Sequence, residues 1–243
     1  MLHSRAAGIA FAHYPKTAGH AMVEWFRGTF PDAAFVEADP VHPISHLPVR
    51  ESLLRLGALP TGGRFLGRVG RTALSRCGAI AGRIGPARPW RVIGVVREPF
   101  EMIVSLFEYW RDYPFATEPD SPLIRAARSG SFPAFLERAV VRGELPKYEN
   151  FFDVGGAMWP WTRLLDFADL DAALAAVGRE WGFDVPAAGL ARRNVGPRPA
   201  RDLGPYRHAA GPLVAAVDRR FAWYRKQGAR LLVRGGDGRR HAA

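Results

Sequence analysis

Residues 9–26 read IAFAHYPKTAGHAMVEWF. The apolar run IAFA marks a first strand near Ile9–His13, and Met22, Val23, Trp25 and Phe26 then recur on one side of a helix. Between strand and helix sits a tight turn holding Pro15, Lys16, Thr17, Ala18 and Gly19. Its backbone N–H groups and the positive end of the following helix favour an anion, and Lys16 adds a point charge. The loop has the lysine and small residues of a phosphate-binding loop but lacks the GxxxxGK[ST] pattern of nucleotide triphosphatases.

A second instance of the same grammar lies at residues 90–111, WRVIGVVREPFEMIVSLFEYWR. Val92–Val96 is a continuous apolar run suited to a strand buried on both faces. Pro99 suits a first helical turn, and Phe100, Ile103, Leu106, Phe107 and Trp110 recur at helical spacing. Arg97 leaves the strand end, and Ser105 follows two helical turns later. Elsewhere, AAFVEA predicts a strand, HLPVRESLLRLG and SFPAFLERAV helices, LLDFADL a strand entering a turn, DAALAAVGREWGF an amphipathic helix, and PLVAAVDRRFAWYRKQG one last long helix. Strands alternating with helices predict an α/β fold, a central parallel sheet flanked by helices, with ligands at the carboxyl ends of its strands.

With 243 residues, 48% of them hydrophobic and 12% aromatic, the chain can bury a core of its own, and one domain over residues 1–232 with a frayed tail at 233–243 is expected. The single cysteine, Cys77, can form neither an internal disulfide nor a thiolate cluster. The apolar run of MLHSRAAGIAFAHYP is too short for a signal peptide, and no stretch reaches the roughly 20 apolar residues of a membrane span, so a soluble, cytoplasmic protein is expected. The formal charge of +11 points to an anionic partner. Residues 61–91 carry seven arginines (Arg64, Arg68, Arg71, Arg76, Arg83, Arg88 and Arg91) and no acid. That segment reads either as a basic insertion touching an anionic surface or as a loop that arginine keeps soluble. A second basic stretch starts at Arg192.

The paired loops, HYPKTAGHAM and VVREPFEMIVSLFEYWR, resemble the signature of sulfotransferases that use 3′-phosphoadenosine 5′-phosphosulfate (PAPS), in particular their glycan-type branch. HLPVRESLLRLG, LLDFADL and ARRNVGPRP resemble further segments of that family, and the resemblance spans most of residues 9–228. It implies a P-loop NTPase-like sulfotransferase fold, with PAPS as co-substrate and the hydroxyl of a saccharide or glycolipid as acceptor. Lys16 and Thr17, with the backbone of Ala18, Gly19 and His20, would hold the 5′-phosphosulfate, and Arg97 and Ser105 the 3′-phosphate. His20 and Ala21 depart from the family, standing where two hydroxyl residues are usual.

Sulfuryl transfer, like phosphoryl transfer, can be driven by positioning and charge stabilisation. A lysine at the leaving phosphate oxygen stabilises charge that grows only in the transition state. The acceptor hydroxyl needs a base. His46 in PISHLP is the first candidate because imidazole titrates near neutral pH and the segment matches the family's histidine region, with His42 and Glu37 as rivals and His13 as a supporting residue. No HExxH, cysteine pair or acidic cluster suggests a metal. Two other classes stay open: a degenerate P-loop kinase or nucleotide hydrolase, and a basic nucleic-acid-binding module, although no stacking platform or nucleic-acid motif is seen.

Overall fold

The computed structural model describes residues 1–36, 46–59, 89–112, 121–187, 189–190 and 202–233, with backbone alone for 227–233. Most of the arginine-rich segment, together with His42, Glu37, Cys77, the Asn-containing loop and residues 234–243, lies outside the described residues. The chain divides into two compact units: Met1–Val96, Glu149–Arg193 and Leu231–Ala243 form the first, and Arg97–Tyr148 and Asn194–Arg230 the second.

The first unit is a mixed, mostly parallel sheet with helices. Its strands are β1 (Leu2–Ser4), β2 (Ile9–Ala12), β3 (Ala34–Phe35), β4 (Arg91–Val96), β7 (Thr162–Asp166) and β8 (Leu232–Val233), in the order β3-β1-β2-β4-β7-β8. β2, β4, β7 and β8 run parallel, Phe11 lying opposite Ile93 and Gly94 opposite Leu164. The expected parallel sheet is therefore antiparallel at one edge, where β1 pairs with both β2 and β3. A turn at residues 5–8 forces this reversal. Gly8 takes φ of 64°, which glycine adopts without a Cβ penalty, and its N–H donates to the Arg5 carbonyl. Asp32 holds the turn from outside, accepting from the Ser4 hydroxyl at 2.5 Å and the Ala6 N–H at 2.9 Å.

One sheet face is the main core. Phe11, Ile93, Val95 and Leu165 meet Met22, Trp25 and Phe26 of α1 (Gly19–Thr29) and Ala173, Leu174 and Val177 of α7 (Leu170–Trp181). Successive strand residues point to opposite faces, so Gly94 faces the other way from Ile93 and Val95. There the Phe152 ring, from α6 (Tyr148–Phe152), lies so near the strand that a Cβ on Gly94 would come within 2.5 Å of its edge. Phe151 and Phe152 in turn contact Tyr14 just before the Lys16 loop, at ring-centroid distances of 5.4 and 6.4 Å. β5 (Asp153–Val154) and β6 (Ala157–Met158) follow as a two-stranded hairpin, and α2 (Val49–Arg55) packs against β5.

Arg91 corrects part of the reading of residues 61–91. It opens β4 and donates to the main-chain carbonyls of Trp181 and Ala7, both at 3.0 Å, with its guanidinium over the Trp181 ring. A guanidinium occupied by a helix-end carbonyl and a turn carbonyl is neither an anion-facing group nor a solubilising one.

The second unit is helical: α3 (Pro99–Asp112), α4 (Pro122–Arg128), α5 (Phe132–Leu136) running into a π-helical turn (Glu137–Val141), α8 (Gly204–Ala210), α9 (Leu213–Arg220) and most of α10 (Ala222–Leu231). Ser121 and Ser131 cap α4 and α5, accepting from the N–H groups of Ile124 and Ala134, with a proline in each first turn. The rings of Phe107, Phe132, Phe135 and Tyr206 interlock at 5.0–6.3 Å. The one long helix expected at the C-terminal end is two. Phe221 breaks it at φ −105° and ψ 27°, and its ring is buried against Tyr148 at 5.3 Å.

Gly94→Ala is expected to destabilise the protein by about 1–3 kcal/mol, because the strand and the Phe152 ring leave no room for a methyl group. Denaturant melts check this, and an unchanged midpoint would mean that Phe152 does not pack on β4.

Candidate active site

The loop after β2 is closed from within. The Thr17 hydroxyl donates to the Tyr14 carbonyl at 2.7 Å, and Thr17 is fully buried. Its proton is thus engaged in the turn, and its side chain shapes the loop. Lys16 and Ala18 both take left-handed backbone, with φ of 61° and 60°. For residues with a Cβ this costs on the order of 1–2 kcal/mol each, and such strain clusters at ligand-binding loops. Left-handed residues in a tight turn gather backbone N–H groups into concavities that suit anions. Ala18 leads directly into α1, whose N-terminus has no side-chain cap. Lys16 is half-buried, His20 is exposed, and no acid occurs from His13 to His20.

Gly19 must be glycine for a steric reason, since a Cβ there would overlap the His13 ring. That ring is buried, and its centroid lies 4.5 Å from that of His46. Burial first, then the charges of His46, the chain's amino group, His20 and Lys16, hold the His13 imidazole well below its ordinary pKa. His13 is therefore neutral near pH 7. His46 is exposed, with Nδ1 3.1 Å from the His13 main-chain oxygen. A carbonyl only accepts, so Nδ1 carries the proton and, in the neutral ring, the lone pair resides on Nε2. The first unit thus gathers His13, Lys16, Thr17, Gly19 and His46 around one strand end.

Arg97 and Ser105 belong to the second unit. Arg97 is the residue after β4, and its Nε reaches the Glu101 carboxylate at 3.4 Å. Glu98 caps α3, accepting from the Glu101 N–H at 2.8 Å. Ser105 is buried on α3. The Tyr148 hydroxyl meets both the N–H and the carbonyl of Arg97, a contact between residues 51 positions apart that no local motif announces.

Sequence reading also missed a pair of carboxyls. Glu149 and Asp153 lie four apart across the end of α6, a spacing that places two side chains on one side of a helical turn. Burial, then the Glu149 charge, pushes Asp153 up to about 6, and its Oδ1 is buried without a hydrogen-bond partner among the described residues. Among the described residues no group of three or more His, Cys, Asp or Glu could hold a metal, and no helix is long and apolar enough to cross a membrane.

No family model matches the chain, and no curated protein matches it. Among solved structures, that of mouse sulfotransferase SULT7A1 complexed with PAP is similar over 74% of this chain and 59% of that one, at 16% identity and a TM-score of 0.30. This chain thus spans less than two thirds of the length of the structure it matches.

Because the folded state raises the Asp153 pKa, it holds that proton more tightly than the unfolded chain does. The associated stability is full below pH about 4, is lost as pH rises to about 6, and stays lost above it. Asp153→Asn is expected to remove this loss and to be more stable than the parent at pH 7. Parallel pH-dependent curves for the two proteins in denaturant melts would show that Asp153 ionises without cost in the fold.

Proposed function

We propose that this chain is a sulfotransferase that moves a sulfuryl group from PAPS to a hydroxyl of a saccharide or glycolipid acceptor. The observation that carries the reading is the strained, acid-free Lys16 loop, built at a strand end beside a histidine held in one tautomer. A lysine, clustered N–H groups and an uncapped helix start fit a dianionic phosphosulfate in charge and donor chemistry. Arg97 and Ser105 supply the donors suited to the second, 3′-phosphate.

The donor, when bound, supplies the sulfuryl group and a phosphate leaving group. Lys16 neutralises the charge that gathers on the leaving phosphate oxygen as its bond to sulfur breaks. The N–H groups from Ala18 to His20 share that charge. His46 Nε2 accepts the proton of the acceptor hydroxyl while its oxygen bonds to sulfur. The Nδ1–H bond to the His13 carbonyl keeps the ring oriented and stabilises it once it becomes positive. His13, buried and neutral, places no second charge beside it.

Lys16→Ala is expected to lower transfer from labelled PAPS, assayed over a panel of hydroxyl acceptors, by at least about a hundredfold while the fold survives. His46→Ala is expected to lower transfer as well but to leave the affinity for adenosine 3′,5′-bisphosphate unchanged, since a base touches the acceptor and not the nucleotide. Near-normal turnover of Lys16→Ala would remove this loop from the chemistry, and normal transfer by His46→Ala with loss in Glu37→Gln would move the base to Glu37.

A further inference from the structure

Arg97 is the first residue beyond the end of β4, so its peptide groups need partners outside the sheet ladder. One atom serves both. The Tyr148 hydroxyl donates to the Arg97 carbonyl at 2.8 Å and accepts from the Arg97 N–H at 3.3 Å. A hydroxyl, as one donor and one acceptor, is the side-chain group that can do this. Bonds on both sides of a single Cα restrict φ and ψ together, and with them the direction in which the side chain leaves the backbone.

The clamp is itself anchored. Tyr148 is fully buried, and its ring meets Phe221, Tyr224 and Trp223 at 5.3, 6.0 and 6.4 Å. Phe221 stands at the break between α9 and α10, so the interruption of the last helix delivers the ring that braces Tyr148. The other end of Arg97 is held differently. Its Nε lies 3.4 Å from a Glu101 carboxylate whose side chain is 42% exposed, long for a charge-assisted bond, which ordinarily falls near 2.7–2.9 Å. The backbone of Arg97 is thus fixed by a buried side chain while its Nε faces an exposed carboxylate, so an anion can compete with Glu101 for that nitrogen without rebuilding the loop.

We infer that Tyr148 is a positioning residue whose hydroxyl sets Arg97 for the 3′-phosphate of the donor, making the preference for a 3′-phosphorylated nucleotide depend on a side chain that never touches it. This rests on the sulfotransferase reading above. Tyr148→Phe keeps the ring and removes one oxygen. The dissociation constants of adenosine 3′,5′-bisphosphate and adenosine 5′-monophosphate are measured by calorimetry for parent and variant, with thermal melts to confirm folding. The bisphosphate is expected to weaken on the order of tenfold and the monophosphate to be unchanged, so that their ratio collapses. A merely structural role for Tyr148 would weaken both alike or neither. Phe221→Leu loosens the brace but keeps the hydroxyl, and is expected to lower the same ratio by a smaller factor, which keeps the inference testable should Tyr148→Phe not fold. A parent that prefers the bisphosphate, with that preference intact in the variants, overturns this inference alone. A parent that binds both nucleotides equally overturns the sulfotransferase reading and this inference with it.

Discussion

The contact of the His13 ring with the Cα of Gly19 organises the first unit's site. It joins the end of β2 to the start of α1, and the chain between them must turn within residues 13–18. That turn forces left-handed backbone on Lys16 and Ala18, draws the Thr17 hydroxyl onto the Tyr14 carbonyl and leaves the α1 N-terminus open. The same histidine gives its carbonyl to His46 Nδ1. Loop geometry, helix start and tautomer therefore follow from one close approach, which only a glycine at position 19 permits.

Legibility in the sequence followed the range of the interactions. Ile9–Ala12, Val92–Val96 and the helices after them could be read because burial imposes a local period, and the Ser-Pro starts of α4 and α5 carry local capping chemistry. Three features could not be read that way. β1 is a three-residue strand whose pairing depends on a turn held by the distant Asp32. The final helix keeps an unbroken helical pattern in sequence, and only Tyr148, packed against the Phe221 ring, marks its break. The clamp on Arg97 joins residues 51 positions apart, and neither looks unusual among its neighbours.

Charge tells a similar story. The formal +11 invites a search for one basic face, yet many described arginines have partners nearby. Arg91 and Arg220 hold main-chain carbonyls, while Arg111, Arg138, Arg163 and Arg225 meet Asp112, Glu144, Glu180 and Asp218. Exposed pairs of this kind contribute about 0–1 kcal/mol each, so their effect is chiefly to orient side chains. Lys16 differs in standing on a strained turn in a stretch without acids. Arg97 differs in having both its backbone N–H and its carbonyl held by one buried tyrosine hydroxyl. Those local features, rather than net charge, are what the proposed donor binding rests on.

Nucleotide selectivity in the presence of a chelator tests this account most directly. Adenosine 3′,5′-bisphosphate presents anions suited to both the Lys16 loop and Arg97, whereas ATP, ADP and AMP offer phosphates on one side of the ribose only. With EDTA present, the bisphosphate at about 100 times its dissociation constant is expected to stabilise the fold by roughly 2.7 kcal/mol and to raise the melting temperature by several degrees, more than any of the other three. A larger, magnesium-dependent rise with ATP, or no rise with any nucleotide, would contradict it.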